Sequence, residues 1–137
     1  MDWNECLRKN AKPTSADENM IKSLIESADA NLIVTKSIKQ EDLSYSSVVV
    51  LAYDSLRMLL EALALKNGYK IYNHECYTSF LKEVLHNGVL AEKFDPVRLI
   101  RNSINYYGKR LAKMEFVIVY ADILYLIPEV KKLLEIK

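Results

Sequence analysis

The chain has 137 residues, enough for one domain with a buried core. Its 19 basic and 18 acidic residues leave a net charge of +1, which excludes a general polyanion-binding surface, so any contact with nucleic acid must use a local patch. Half of the residues are hydrophobic, and glycine and proline number three each, a balance that favours helices over a turn-rich sheet fold.

The first fourteen residues predict a short amino-terminal arm. Trp3 and Leu7 lie one helical turn apart, which predicts a short helix with both side chains as anchors. Pro13 then interrupts the helix and predicts an irregular connector. We therefore divide the chain into an arm, residues 1–14, and a helical bundle, residues 15–137.

Four longer segments have the apolar periodicity of helices. Ser15 and Glu18 have the spacing of a capping box and predict the start of the first segment. Asn73 is a suitable cap for the third segment, and Asp95 followed by Pro96 is a suitable start for the fourth. The four helices are predicted at about residues 15–37, 44–68, 73–88 and 95–108.

A fifth segment, residues 113–126, is rich in β-branched residues and resembles a strand at its centre. No second strand of comparable quality is predicted to pair with it, so we expect a helix that is apolar on nearly all sides, with a kink or a new turn at Pro128. In a small domain such a helix needs a second apolar partner, and the interface of a homodimer is the simplest one. The predicted fold is all-α, an up-and-down bundle of four to five helices.

Cysteine usage and hydropathy predict a cytoplasmic protein. Cys6 and Cys76 are far apart in the sequence and lack metal-ligand spacing, and two thiols without a signal peptide suit a reducing cytosol. The longest apolar run, residues 116–127, is shorter than the roughly 20 residues that span a bilayer. We therefore expect no metal, no cofactor and no membrane contact.

The fourth helix carries a row of polar residues. At about 100° per residue, four of them fall on one side of the helix: Arg98, Arg101, Asn102 and Asn105. Arginine offers an oxyanion a bidentate fork, and asparagine offers both a donor and an acceptor, so the row suits a phosphate or a nucleotide. The same row would also suit a polar network between helices in which Arg101 pairs with a carboxylate. The sequence leaves both interpretations open.

Other polar groups also have two interpretations. Asp54, Arg57 and Glu61 are spaced three and four residues apart, so they lie on one face of the second helix. This face is either an ion-pair surface or a support for the polar row. His74 would titrate near neutrality, but no partner stands at a fixed spacing from it, which favours a capping or surface role. Tyr106 and Tyr107 would either stack on bases or be buried with the hydroxyl at the rim, and burial is expected for Tyr107 because it lies on the apolar face.

Three phrases of the sequence, in this order and spacing, resemble the HEPN family (higher eukaryotes and prokaryotes nucleotide-binding), in particular its small prokaryotic stand-alone members. They are Ala52-Tyr53-Asp54-Ser55-Leu56-Arg57 with its continuation to Tyr69, Asn73-His74, and Arg101-Asn102-Ser103-Ile104-Asn105-Tyr106-Tyr107-Gly108. The likeness extends over residues 15–134. It implies a helical bundle, commonly a homodimer, that pairs with a small nucleotidyltransferase in toxin–antitoxin or accessory-subunit systems.

Active members of that family are metal-independent ribonucleases with an R-x(4–6)-H motif, often with Asn or Asp directly after the Arg. By this resemblance Arg101 and Asn102 match the start of the motif, but Tyr106 occupies the His position. A tyrosine hydroxyl, with a reference pKa of about 10, is a poor base at pH 7. A tyrosine in place of the histidine favours a site that binds RNA or a nucleotide without efficient cleavage of RNA.

The resemblance therefore implies a nucleotide-binding or RNA-binding site made of Arg98, Arg101, Asn102, Asn105 and His74. A second hypothesis is a ribonuclease toxin with Arg101 on the scissile phosphate and Tyr106 or His74 as the acid–base group. A third is a protein-interaction module in which the polar row is only structural.

Overall fold

Six α-helices and one π-helical turn account for most of the chain in a computed structural model, which describes residues 1–135. The fold is a helical bundle with a small two-stranded sheet. Its elements are α1 (Trp3–Lys9), β1 (Ala11–Pro13), α2 (Glu18–Ser37), α3 (Tyr45–Lys66), β2 (Tyr69–Ile71), α4 (Glu75–Ser79), the π-helical turn (Phe80–Val84), α5 (Gly88–Tyr107) and α6 (Lys113–Glu135).

Helix α3 is the centre of the bundle, as its broad apolar pattern predicts. It packs against α2 on one side and α6 on the other, and its buried side chains lie on most of its circumference. The amino-terminal arm joins the same core through Trp3 and Cys6, both buried. Leu7 is exposed, so its predicted role as an anchor is wrong, and Cys6 takes that role.

The predicted connector after α1 contains a strand. β1 pairs antiparallel with β2, with Ala11 opposite Ile71 and Pro13 opposite Tyr69. Three residues are too few to produce a readable alternation of apolar and polar side chains, so the sequence pattern did not reveal this pair. The pairing holds the arm against the connection between α3 and α4.

Helix α2 begins two residues later than the capping-box spacing predicts. The side chain of Asp17 accepts a hydrogen bond from the Met20 N–H at 3.1 Å, which makes Asp17 the cap and Glu18 the first helical residue. The predicted capping box at Ser15 is therefore wrong. Aspartate and serine are equally good caps, and with the two so close together the sequence did not distinguish them. The predicted end of the helix near Ser37 is confirmed.

Helix α5 begins seven residues before its predicted start. The side chain of Asn87 accepts from the Leu90 N–H at 3.1 Å, and Pro96 lies inside the helix. The prediction that Asp95 and Pro96 open the helix is therefore wrong. The side chains of Leu90, Ala91 and Phe94 are buried against the core. Their burial stabilises the first two turns of the helix, which precede the proline.

The ends of α5 and α6 follow local signals. Gly108 ends α5 with φ +65°, the left-handed conformation that favours glycine, and its N–H donates to the Ser103 carbonyl. The segment that resembles a strand is helical in α6, as expected for a segment without a strand partner. The helix continues past Pro128 to Glu135. Among residues 1–135, no helix combines the length and the hydropathy that a membrane crossing requires.

A disulfide joins Cys6 of α1 to Cys76 of α4. Both cysteines are completely buried and are 70 positions apart in the chain. The expectation of two separate thiols is therefore wrong, because the fold brings together two residues that have no pattern in common. Because the two cysteines are joined, the argument from free thiols to a reducing compartment is lost. The cytoplasmic location stays a prediction.

We expect the double variant Cys6→Ala/Cys76→Ala to unfold more easily than the oxidised wild type. Closing a loop of 70 residues restricts the unfolded chain, and its loss costs about 4 kcal/mol in the chain-entropy model. Urea unfolding without reductant measures the difference, and wild type in excess dithiothreitol is the matched control. Equal unfolding midpoints for all three samples would contradict the disulfide.

Candidate functional site

A cavity of about 370 Å³ opens between the amino-terminal end of α4 and the carboxyl-terminal half of α5. Most of its lining side chains are polar or aromatic: Asn10, Tyr72, Asn73, His74, Glu75, Arg98, Arg101, Asn102 and Tyr106. Five predicted site residues therefore meet in one place, from two distant parts of the sequence. Asn105 is the predicted site residue that is not part of the lining, and it contacts Arg101 instead.

A larger cavity, about 760 Å³, lies between α2 and the end of α6. Its wall combines the apolar side chains of Ile21, Ile25 and Leu134 with positively charged lysines and negatively charged glutamates. It contains no residue of the predicted polar row and no aromatic side chain. The smaller cavity is therefore the candidate functional site, since cationic, amide and imidazole groups converge there.

The paired strands and the start of α4 position one wall of the cavity. The Tyr72 N–H donates to the Asn10 carbonyl at 2.7 Å, which extends the pairing of β1 with β2 by one residue on each strand. Asn73 Oδ1 accepts from the Glu75 N–H at 2.9 Å, but the cap position of α4 is His74, so the predicted cap at Asn73 is wrong by one residue. This contact turns the chain into α4 and places His74 at the cavity.

The predicted third helix is shorter than expected, since it consists of α4 and the π-helical turn and ends at Val84. Glu75, the acidic group of the cavity wall, forms an ion pair with the Met1 amino group at 2.9 Å. That contact offsets part of the negative charge on the wall formed by α4.

Arg98 is held by its own helix. Its Nε and Nη2 donate to Asp95 Oδ1 at 3.0 and 2.8 Å, and the Thr78 hydroxyl donates to the same oxygen at 2.9 Å. Only 9% of Arg98 is exposed. Because an adjacent carboxylate balances its charge, Arg98 contributes less to an anion site than the spacing of the polar row predicts.

Arg101 is the cation of the cavity that has no carboxylate partner among residues 1–135. Its guanidinium carbon lies 5.3 Å from the centroid of the Tyr53 ring, a cation–π contact. With the amide of Asn105 oriented so that its oxygen faces the guanidinium, Asn105 accepts from Arg101 Nε and Nη2, both at 3.2 Å. The interpretation in which Arg101 pairs with a carboxylate is therefore wrong.

Arg57 pairs with the carboxylates that the alternative interpretation offered to Arg101. Its Nε lies 3.2 Å from Asp54 Oδ1 and its Nη1 lies 3.1 Å from Glu61 Oε1. Lys70 adds a contact of 3.2 Å to Glu61. This network on α3 confirms the ion-pair interpretation of that face, and it leaves Arg101 free to receive an anion.

His74 receives a hydrogen bond from the core. The Tyr53 hydroxyl lies 3.1 Å from His74 Nδ1 and has no other hydrogen-bond partner among the described residues. A buried hydroxyl proton needs an acceptor, so Tyr53 donates to Nδ1, which places the imidazole proton on Nε2. Burial raises the pKa of Tyr53, which keeps this hydroxyl a donor.

The environment also keeps His74 neutral. Burial lowers the pKa of His74 below its ordinary value of 6.5, and the positive charge of Arg101 lowers it further. At neutral pH the side chain therefore presents an Nε2–H with no protein acceptor among residues 1–135. An Nε2–H donates to an oxyanion but does not accept a proton, so this tautomer is suited to binding and not to general-base catalysis.

The last turn of α5 projects from the bundle. Ile100 and Ile104 are the last residues of its apolar face that pack against the core. Tyr107, one turn further, is 85% exposed, so its predicted burial is wrong because no neighbouring element covers that turn. Tyr106 is 70% exposed, stands at the rim of the cavity and makes no side-chain hydrogen bond within residues 1–135.

Several hydrogen-bond donors line the same cavity. Arg101, the Nε2–H of His74 and the amide of Asn102 supply hydrogen bonds of the kind that oxyanions accept. Within residues 1–135 no group of three or more His, Cys, Asp or Glu side chains is placed to hold a metal ion.

Several cavity residues were not predicted from the sequence: Asn10, Tyr72 and Glu75 in the lining, and Tyr53 behind it. The strand pairing that brings Asn10 and Tyr72 together is too short to read from sequence. Tyr53 lies within the segment of residues 52–57 that resembles the HEPN family, and this resemblance is the one sequence signal that could have indicated its role.

We expect Tyr53→Phe to change the tautomer of His74 without unfolding the protein. The phenyl ring keeps the contact with Arg101, but Nδ1 loses its donor, so the Nδ1–H form becomes populated at neutral pH. Nitrogen chemical shifts of the imidazole ring measure the tautomer, and His86, outside the cavity, is the internal control. Unchanged His74 shifts would show that Tyr53 does not determine the tautomer.

Comparison of the chain with protein-family models, with curated proteins and with solved structures finds no match.

Proposed function

We propose that this protein binds the phosphate of RNA or of a nucleotide in the cavity formed by Arg98, Arg101, Asn102 and His74. The observation that carries the proposal is the pairing pattern of the arginines. Arg57 and Arg98 have adjacent carboxylates, whereas Arg101 lines the cavity without one. An unbalanced guanidinium beside an imidazole donor is the arrangement that phosphate oxygens accept.

The state of His74 supports binding over cleavage. Metal-free cleavage of RNA needs a group that takes the proton of the 2′-hydroxyl, and His74 holds its proton on the nitrogen that is free to contact a ligand. Among the described residues, the hydroxyl of Tyr106 has no hydrogen-bond partner that would activate it as a base. The protein therefore acts as a binding or weakly catalytic protein.

The proposal includes protein partners. By resemblance to the HEPN family the chain acts as a homodimer and with a nucleotidyltransferase, in a toxin–antitoxin or accessory-subunit role. Apolar side chains of α6 that the single chain leaves exposed support a protein contact: Met114, Val117 and Ile118. An adjacent apolar cleft of about 200 Å³ between α5 and α6 is lined by Val97, Ile100 and Val119.

A metal-independent ribonuclease is the second candidate function. The observation in its favour is that His74 and Arg101 line one cavity although they are distant in the sequence. In that case the acid–base group would be His74 and not Tyr106, the residue that the family motif aligns with the catalytic histidine.

We expect Arg101→Gln to weaken the binding of inorganic pyrophosphate by about tenfold or more, because a charge-assisted hydrogen bond contributes about 1.5–3 kcal/mol. Titration calorimetry at low salt measures the affinity. Arg110→Gln is the matched control, since it removes the same charge from an exposed residue outside the cavity.

Equal losses in the two variants would contradict a specific site and indicate only a general effect of charge. RNA incubated with the wild type in EDTA should stay intact. Cleavage that Arg101→Gln abolishes would overturn the binding proposal in favour of the ribonuclease.

We expect the affinity for sulfate to rise several-fold as the pH falls from about 8 to about 5. Burial and Arg101 hold the pKa of free His74 below 6.5, and a bound dianion raises it because it stabilises the imidazolium. Binding therefore takes up a proton between the two pKa values. Arg57 and Arg98 oppose this protonation and Asp54 favours it.

Calorimetry across this pH range tests the linkage, and sulfate is the probe because its own charge is constant there. His74→Gln should bind sulfate with a flat pH profile. The same slope in wild type and variant would exclude His74 from the site.

A further inference from the structure

Two exposed tyrosines stand at the rim of the phosphate cavity. Tyr72 is 56% exposed and Tyr106 is 70% exposed, and both contribute to the lining that contains Arg101 and His74. They come from different elements, since Tyr72 directly follows β2 and Tyr106 lies in the last turn of α5. The cavity therefore has aromatic side chains on two walls.

The backbone holds both tyrosines in place. The Tyr72 N–H donates to the Asn10 carbonyl at 2.7 Å, and Tyr106 belongs to a continuous helix that ends at Tyr107. Rings presented by an ordered backbone lose less entropy when they bind than rings on a mobile loop. Their exposed surface is suited to stacking, because every nucleobase has a π-face.

The rim also carries positive charge. Lys12 Nζ lies 5.9 Å from the centroid of the Tyr72 ring and makes no ion pair within the described part of the chain. Other exposed tyrosines lie elsewhere, since Tyr107 is outside the lining and Tyr125 packs beside Lys93 at 5.0 Å. Among the exposed tyrosines of the described residues, Tyr72 and Tyr106 are therefore the two that line this cavity.

We propose that Tyr72 and Tyr106 form a nucleobase subsite, so that the ligand is an unpaired nucleotide with its base on these rings and its phosphate on Arg101 and His74. The inference rests on the proposed function, because it needs the phosphate site. A cavity of about 370 Å³ lies within the range of small-ligand sites, about 300–1,000 Å³. A base in a duplex is already stacked and cannot enter.

The test compares adenosine 5′-monophosphate with ribose 5-phosphate, two ligands that share the phosphate and the sugar. We expect the nucleotide to bind wild type about tenfold more tightly, the gain typical of one stacked base. Tyr106→Ala should lose this difference and keep its affinity for ribose 5-phosphate. Tyr107→Ala is the matched control, since it removes the neighbouring exposed ring outside the cavity and should keep the difference.

Equal affinities for the two ligands in wild type would overturn the nucleobase subsite and leave the phosphate site intact. Binding of neither ligand by a protein with a folded circular dichroism spectrum would overturn the phosphate site, and the subsite with it. Equal losses in Tyr106→Ala and Tyr107→Ala would also overturn the subsite.

Competition against bound adenosine 5′-monophosphate distinguishes a free mononucleotide from a nucleotide within a single-stranded RNA. Displacement by a short single-stranded RNA supports a strand as the ligand, whereas displacement by free nucleotides alone supports a mononucleotide. Equal displacement by the same sequence in a duplex would overturn the requirement for an unpaired base.

Discussion

The attachment of the amino-terminal arm to the connection between α3 and α4 is the constraint on which the site depends. Pairing of β1 with β2 and the Cys6–Cys76 disulfide hold two segments together that are distant in the sequence. The Asn10 carbonyl then receives the Tyr72 N–H, and the chain turns into α4 with His74 at the cavity. This attachment brings Asn10, Tyr72 and His74 into one cavity with the polar row of α5.

The pairing of charges gives the cavity its character. Arg57 and Arg98 are bound to carboxylates on their own helices, and burying or holding a charge in this way is a structural use of arginine. Arg101 instead lies over the Tyr53 ring, which supports a cation without neutralising it. One side chain of the core, Tyr53, thus contacts two of the groups proposed to bind phosphate, since its hydroxyl also donates to His74.

The protonation state of His74 separates binding from catalysis. A neutral imidazole whose Nδ1 is occupied offers a donor, because its Nε2 carries the proton and no nitrogen is free to accept one. Exposed Tyr72 and Tyr106 beside these donors extend the proposal from a phosphate to a whole nucleotide. A bare phosphate site would have no need of aromatic side chains at its rim.

The sequence by itself determined the helical class, the central place of α3, the helical state of residues 113–126 and the polar row of α5, because these follow from periodicity and turn chemistry within one segment. It misplaced the starts of α2 and α5, since nearby residues cap equally well and only packing decides between them. The tertiary structure alone decided the strand pairing, the disulfide and the contact of Tyr53 with His74. Each of these joins residues or selects partners through long-range contacts, which leave no local pattern to read.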